Sequence, residues 1–325
     1  MIRIPLVCLL LTLLFSCKKD PVMAPPPDNI PEWTLFNTTN SALPDNQINA
    51  IAIDRQDRKW LGTSKGLVRL QDEEWTVFDP ANSPLPSSYV QAVAVEDNGT
   101  VWAGTPEGLA RLSGGNWQVF TASNSLLTHN SIISLAHDPQ RNITYVGTEG
   151  STISIDRNNQ WKILEESGNP VLSMAVDRNG VLWSGSFNFF AFMGRIRKYD
   201  HGQWSSLNLP DFGYTSSFPY SIAIDNTNKP IVTLSGTSVR AVVRINGNVF
   251  EEIPFSSAAF GFKTVAVDGD EIWAAGTGMC VLGDRNHPSL AIPGTDSPIQ
   301  CMAIDSKGSK WLGTVYGGIA RYHDR

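Results

Sequence analysis

The sequence predicts an all-β fold: a single seven-bladed β-propeller with four-stranded blades, whose ring is closed by the N-terminal strand, residues 31–36. A motif of Asp, Trp and Gly-Thr recurs along the chain, with clear copies at residues 51–63 and 302–314. The seven anchor positions, separated by 42, 43, 38, 48, 42 and 38 residues, are 60, 102, 145, 183, 231, 273 and 311. A period of about 42 residues, built from short strand-like segments, is typical of propeller blades.

The first 17 residues predict a secretory signal. Arg3 supplies the positive charge, residues 6–15 form an apolar segment too short to span a bilayer, and Ser16 precedes Cys17. The segment Leu-Phe-Ser-Cys resembles a bacterial lipobox, in which cleavage precedes the cysteine and lipid is attached to it. We therefore predict a lipoprotein signal peptide at 1–17 with lipidation of Cys17. The alternative is an ordinary secretion signal that contains this cysteine.

Residues 18–30 hold four prolines and predict an extended tether between the lipid and the propeller at 31–325. Without residues 1–17 the chain has 24 basic and 31 acidic residues, a net charge of −7, and no basic run beyond Lys18 and Lys19. This balance disfavours nucleic acid as a partner. We expect a monomer in which Cys280 and Cys301 are buried thiols rather than a disulfide.

Two invariant columns support the repeat. Alanine stands two residues before the Asp position in all seven units, where we expect crowding at the propeller axis, and Gly-Thr or a similar pair closes each second strand. The alanines are Ala52, Ala94, Ala136, Ala175, Ala223, Ala266 and Ala303. The glycines are Gly62, Gly104, Gly147, Gly185, Gly236, Gly276 and Gly313. The last unit lacks a fourth strand, and residues 32–36 match 74–78 closely, so the N-terminal strand should complete the seventh blade.

The pattern of a strand followed by Asp-x-x-Gly-x-x-Trp-x-Gly-Thr-x-x-Gly-Leu-x-Arg, matched best by residues 93–111 and 302–321, resembles the two-component regulator propeller repeat. In that family such blades form the periplasmic sensor part of hybrid histidine kinases of Bacteroidetes, and they also occur as free-standing lipoproteins. The resemblance implies a sensor-like propeller of the cell envelope. No kinase or receiver segment follows Arg325, and the sensor proteins commonly join two propellers, so we do not expect the signalling role itself.

We expect the repeated Asp and Trp to be structural, because a function carried once per blade would imply seven equivalent sites. The carboxylates should bond turn N–H groups, and the indoles should fill the space between blades. The places where the period lapses are more informative, since loops that depart from a rigid scaffold often carry function. These are the insertion at 187–194 in blade four and the connection 209–220 into blade five. We expect both to project from the same end of the propeller.

Their aromatic side chains, with nearby polar groups, suit a carbohydrate ring or a peptide. The predicted ligand-binding residues are Phe187, Asn188, Phe189, Phe190, Phe192, Asp211, Phe212, Tyr214, Phe218, Tyr220 and Arg240. The alternative is a local core beneath a long loop.

We therefore predict a non-catalytic ligand-binding or sensing lipoprotein of the cell envelope, at the outer membrane, without cofactor or metal. Its ligand would be a small molecule, glycan or protein. A scaffold subunit of an envelope complex is one alternative, and a propeller lyase or glycan-acting hydrolase is the other, with streptogramin lyase the nearer enzyme analogy. The histidines, which show no ligand spacing, are His129, His137, His201, His287 and His323. Of these, His129 alone falls on the predicted binding face.

Overall fold

The computed structural model describes residues 33–236, 240–255, 261–282 and 290–323. Its strands form seven antiparallel sheets arranged in a ring, which confirms the seven-bladed β-propeller. The inner strand of each blade packs against those of both neighbouring blades, and the first packs against the seventh. A 3-10 helix, Leu209–Phe212, lies between blades four and five.

Strand β1 is Trp33–Phe36. Blade one is β2 Ile48–Ile53, β3 Lys59–Thr63, β4 Gly66–Gln71 and β5 Glu74–Phe78. Blade two is β6 Ala92–Val95, β7 Val101–Thr105, β8 Gly108–Ser113 and β9 Asn116–Phe120. Blade three is β10 Ile132–Asp138, β11 Ile143–Thr148, β12 Ser151–Asp156 and β13 Trp161–Glu166. Blade four is β14 Val171–Val176, β15 Leu182–Asn188, β16 Met193–Asp200 and β17 Gln203–Asn208.

Blade five is β18 Ser217–Ile224, β19 Pro230–Gly236, β20 Arg240–Asn246 and β21 Val249–Glu252. Blade six is β22 Thr264–Asp268, β23 Glu271–Ala275 and β24 Met279–Leu282. Its three strands are followed by an isolated bridge, in which Leu290 exchanges backbone hydrogen bonds with Met279. Blade seven is β25 Ile299–Ile304, β26 Lys310–Thr314 and β27 Ile319–Tyr322.

The N-terminal strand closes the ring, as the sequence predicted. Strand β1 pairs antiparallel with β27, from Trp33 opposite Tyr322 to Phe36 opposite Ile319. It is therefore the fourth strand of blade seven, and it covers the edge that β27 would otherwise expose.

In five blades the repeated Asp accepts backbone N–H groups of the turn after the inner strand, which agrees with the structural role expected for it. In blade one, Asp54 Oδ1 accepts the backbone N–H groups of Gln56 and Arg58 at 2.9 and 3.0 Å, and Oδ2 accepts the indole N–H of Trp60 at 3.1 Å. The same carboxylate–indole bond joins Asp305 to Trp311 at 2.8 Å. The six-residue spacing is therefore set by a hydrogen bond across the hairpin between the first two strands.

Each Trp also packs against the next blade. Trp60, which is 2% exposed, belongs to a cluster with Leu85, Val90 and Val93 of the following repeat. Directly opposite each Trp position on the inner strand stands the invariant alanine, as in the pair Ala52 and Trp60. Because facing residues of an antiparallel pair share one side of the sheet, a small residue there leaves room for the indole.

A second aromatic contact links successive blades at their outer edges. Phe78, at the end of β5, stacks on Trp60 of its own blade at 6.2 Å and meets Trp117 of blade two edge-on at 5.5 Å. Phe36 makes the equivalent contacts with Trp311 at 6.2 Å and Trp75 at 5.6 Å. The N-terminal strand therefore brings to the seventh blade the same Trp–Phe–Trp contact that joins blades one and two.

Both cysteines within the propeller are free thiols. Cys280 lies in β24 and Cys301 in β25, and burial raises their pKa values to about 11 and about 12. Both thiols are therefore protonated at neutral pH, which makes them poor nucleophiles. Among the residues that the structure describes, no helix is long and apolar enough to cross a membrane.

Candidate functional site

The aromatic residues predicted around blades four and five fall into two groups. The first group is a row of rings: Phe187 stacks on Phe218 at 3.8 Å, Phe189 meets Phe187 at 5.1 Å, and Tyr220 stacks on Phe218 at 5.5 Å. We call Phe187, Phe189, Phe218 and Tyr220 the aromatic row. It joins the blade-four insertion to the start of the inner strand of blade five.

The second group lies in the core between the two blades. Phe212 stacks on Phe250 at 4.3 Å, and Tyr214 stacks on the same ring at 5.9 Å. The Tyr214 hydroxyl donates to Glu252 Oε1 at 2.8 Å, and burial together with this bond raises the pKa of Tyr214. Within the described part of the chain, no ring contact joins Phe212 or Tyr214 to the aromatic row. The sequence predicted one cluster, whereas the 3-10 helix turns these two rings toward β21.

The polar residues predicted for the site hold backbone and neighbouring side chains. Asn188 Oδ1 accepts the N–H groups of Phe190 and Ala191 at 2.9 and 2.8 Å, so it fixes the turn after β15. Asp211 Oδ2 accepts from Asn208 Nδ2 at 3.1 Å. Arg240 is exposed at the start of β20.

The turn at 188–193 exposes three phenylalanines. Phe189 is 53% exposed, Phe190 99% and Phe192 65%, whereas only three other large hydrophobic residues are exposed across the described residues. Phe192 also has a left-handed backbone, with φ of 51°. Left-handed backbone is uncommon for a bulky non-glycine residue. This concentration of exposed apolar surface is continuous with the buried Phe187 and makes the turn a candidate interaction surface.

The aromatic row ends at a cavity on the propeller axis. The cavity has a volume of about 200 Å³ and is lined by inner-strand residues of all seven blades. Tyr220 of the row is part of its wall, and Lys263 Nζ of blade six lies over the Tyr220 ring, 3.3 Å from its centroid.

A repeated β-bulge creates this wall. In blade one the strand register skips Asn49 between Ile48 and Ala50, and the same skip occurs in blades three, four, five and seven. The skipped residue stands three positions before the invariant alanine, and bulges of this kind re-aim a side chain. Six residues at this repeat position, which we call the axial ring, line the cavity: Asn49, Gln91, Ile133, Tyr220, Lys263 and Gln300.

The axial ring is polar on one side and apolar on the other. Blades seven, one and two contribute the amides of Gln300, Asn49 and Gln91, while Ile133 of blade three adds apolar surface. The amide of Asn49 already has a hydrogen-bond partner, because its Nδ2 donates to the Val90 carbonyl at 3.0 Å. Gln91 Oε1 and Gln300 Nε2 are buried and have no hydrogen-bond partner.

Sequence reasoning found Tyr220 as an aromatic but missed its partners in the axial ring. One signal was present: the position three before the invariant alanine differs from blade to blade, although its neighbours repeat. An irregular position inside a regular repeat is where a shared scaffold can carry a specific site.

Among the described residues, His201 is the histidine that contacts a carboxylate, with its Nδ1 2.6 Å from Asp200 Oδ1, and its side chain is exposed. His129 is exposed, and its Nδ1 lies 3.1 Å from the Thr128 hydroxyl. His137 is half-buried beside Thr144, and burial lowers its pKa despite nearby carboxylates. No group of three or more His, Cys, Asp or Glu residues that could hold a metal occurs in the described segments. His287 lies outside them.

The predicted resemblance to the two component regulator propeller family is confirmed, because the model of that repeat matches residues 165–188. The match spans the end of blade three and the first two strands of blade four, so the chain carries a repeat of this family. The sequence had favoured other copies, at 93–111 and 302–321, as the best matches. No curated protein matches the chain.

Solved structures share the fold at low identity. Virginiamycin B lyase from Staphylococcus aureus is 13% identical, with a TM-score of 0.75, over 90% of this chain and 99% of that chain. The extracellular domains of two putative hybrid two component systems from B. thetaiotaomicron are each 15% identical over 90% of this chain, with TM-scores of 0.69 and 0.70. This chain covers 40% and 42% of those two chains. Because the neighbours include a lyase as well as sensor domains, the shared fold does not assign an activity.

Proposed function

We propose that the protein is a non-catalytic ligand-binding or sensing propeller of the cell envelope, anchored by a lipid on Cys17 at the outer membrane. Its ligand, a carbohydrate or a peptide, binds at the aromatic row and the turn at 188–193. The observation that carries this proposal is the continuity from exposed Phe189 through Phe187 and Phe218 to Tyr220 in the axial cavity.

Binding is favoured over turnover by the chemistry of this face. The row supplies apolar contact, and the axial ring supplies amides and one ammonium group, which can position a ligand. General acid–base catalysis would require a titratable pair within hydrogen-bond distance of the reacting atoms. The hydrogen-bond partner of His129 in the described structure is the Thr128 hydroxyl rather than a carboxylate.

The test is a binding screen with the full-length protein in detergent, against a glycan microarray and a peptide array. We expect Phe190→Ala to weaken binding of the retained probe about tenfold, because a fully exposed ring contributes contact area to a ligand and little to folding. The melting temperature should stay within about 2 °C of wild type, since surface substitutions rarely change stability.

Val249→Ala is the matched control, because Val249 is 59% exposed on β21 and outside the aromatic row. Equal binding by wild type and Phe190→Ala would contradict the proposed site. Chemical conversion of the retained probe, detected by mass spectrometry, would contradict the non-catalytic role.

A further inference from the structure

We propose that the axial cavity binds the C-terminal carboxylate of a peptide through Lys263, an inference that rests on the proposed function and names its ligand. Lys263 stands at the edge of the cavity, half-buried, with its ammonium group over the Tyr220 ring. None of the ion pairs formed among the described residues includes Lys263. Among the described residues, the Lys263 ammonium group contacts the Tyr220 ring but no carboxylate, so it is available to pair with an anion.

The amides of the axial ring suit a carboxylate that continues into a peptide backbone. Gln300, from the blade next to Lys263, has a free donor in Nε2, and Gln91 has a free acceptor in Oε1. A carboxylate can accept from Lys263 and Gln300, while a peptide N–H donates to Gln91. The terminal torsion of glutamine is broad, so rotation of each amide can bring the free atom to the cavity surface.

The rings of the cavity are already in contact with other groups, which disfavours an acidic sugar as the source of the carboxylate. Tyr220 contacts both Phe218 and Lys263, and Phe218 is stacked on Phe187. A sugar that stacks needs an open ring face. The apolar part of the wall is instead aliphatic, formed by Ile133, Leu135 and Met174. An aliphatic side chain on the last residue of a peptide fits against such a surface.

The size of the cavity agrees with entry of one terminal residue. Its volume of about 200 Å³ is below the range of about 300–1,000 Å³ typical of pockets that enclose a whole ligand. The preceding residues of the peptide would then leave the cavity along the aromatic row and cross the exposed Phe189 and Phe190.

The experiment compares two octapeptide pools that end in an aliphatic residue, one with a free C-terminal carboxylate and one with a C-terminal amide. Retention by the full-length protein in detergent is measured by equilibrium dialysis and mass spectrometry. We expect wild type to retain the free-acid pool, Lys263→Met to retain it about tenfold less, and the amidated pool to bind all variants weakly. Retention of the free-acid pool should also fall as NaCl rises.

Lys65→Met is the control for loss of charge, because Lys65 lies in the turn between the second and third strands of blade one and pairs with Asp45 at 3.2 Å. Equal retention of the two pools by wild type, or unchanged retention by Lys263→Met, would overturn the inference. Failure to retain either pool, with Lys263-dependent binding of an oligogalacturonate instead, would overturn it in favour of an acidic sugar. If Phe190→Ala weakens both pools while Lys263→Met weakens neither, the proposed function stands and only the carboxylate subsite fails.

Discussion

In five blades a single Asp carboxylate holds the turn between the first two strands, at the end of the blade opposite the aromatic row. For Asp305, burial alone would raise the pKa, but hydrogen bonds from Trp311 and Ser309 and the charge of Lys59 outweigh it and lower the pKa. The pKa values of Asp54 and Asp225 are lowered in the same way: burial alone would raise them, but hydrogen bonds from backbone and side-chain donors outweigh it. The folded state therefore favours the ionised form at these turns, and each carboxylate contributes stability that depends on pH.

Replacing Asp305 by Asn should reveal how the stability contributed by this carboxylate depends on pH. Lys59, whose side chain is 11% exposed, pairs with Asp305 at 3.2 Å, so the variant leaves a buried ammonium group without its carboxylate. We expect the free energy of unfolding at pH 7 to fall by about 3 kcal/mol. The folded pKa lies below the unfolded value of 3.8, so wild type keeps this contribution above about pH 4 and loses it as pH falls through the folded pKa.

The measurement is urea unfolding of both proteins from pH 7 to pH 2, with the exposed Glu73→Gln as control. The gap between wild type and Asp305→Asn should narrow at the acid end. A gap that stays constant over the whole range would show that the ionised carboxylate is not its source.

At the scale of strands, five of the seven glycines that close a second strand allow that strand to approach the inner-strand region of the next blade: Gly62, Gly104, Gly147, Gly185 and Gly313. A Cβ on Gly104 would lie 2.6 Å from Ile132 Cγ2 and 2.9 Å from Ile132 Cβ. Ile132 is fully buried and β-branched, so its side chain has little freedom to move away. The close approach predicted from the sequence is therefore a contact between blades rather than a turn requirement.

Gly104→Ala should destabilise the propeller by about 1–3 kcal/mol, because the added methyl group overpacks the contact with Ile132. Gly261→Ala is the control, since the nearest atom to its Cβ would be Ser235 Oγ at 3.7 Å, an ordinary contact. Thermal unfolding of both variants checks the difference. Similar melting temperatures for the two variants would mean that β7 and β10 can move apart to accommodate the methyl group without loss of stability.

The regular parts of each blade could be predicted from sequence because their constraints are local. The bond from Trp60 to Asp54 and the facing of Ala52 and Trp60 repeat with fixed spacing, so the period reports them directly. The division of the aromatic residues could not be predicted. Whether Tyr214 joins Phe218 or Phe250 depends on a single turn of 3-10 helix and on Glu252, which is distant in sequence. The axial ring could not be predicted because a β-bulge requires no particular residue type, so no recurring residue marks its position in the sequence.

At the scale of the whole molecule, two kinds of contact secure the ring where its ends meet. Lys310 reaches from blade seven to Asp268 of blade six at 3.1 Å, and Lys59 reaches from blade one to Asp305 of blade seven at 3.2 Å. Phe36 adds the aromatic contact with Trp75 of blade one. Strand β1 is followed by blade one but paired with blade seven, so its release would expose the edge of β27 without breaking the strand ladders of the other blades.

Phe36→Ala should therefore loosen β1 in particular. We expect faster amide hydrogen exchange in β27, Ile319–Tyr322, because local opening exposes the ladder that β1 covers. Phe78→Ala removes the equivalent ring between blades one and two and should lower global stability without selective exchange in β27. Hydrogen exchange measured by mass spectrometry compares them. Equal protection of β27 in wild type and Phe36→Ala would show that the closing strand is held by its backbone ladder alone.

The repeated bulge has a consequence for how recognition can diverge among propellers of this design. A residue that stands outside the strand register can be exchanged without shifting the hydrogen bonds, the Trp contacts or the glycine contacts around it. The bulge residues at the axis, such as Gln300, Tyr220 and Asn49, are thus separable from the architecture that presents them. Specificity for a ligand of the axial cavity can therefore change at the six positions of the axial ring while the blades around them stay the same.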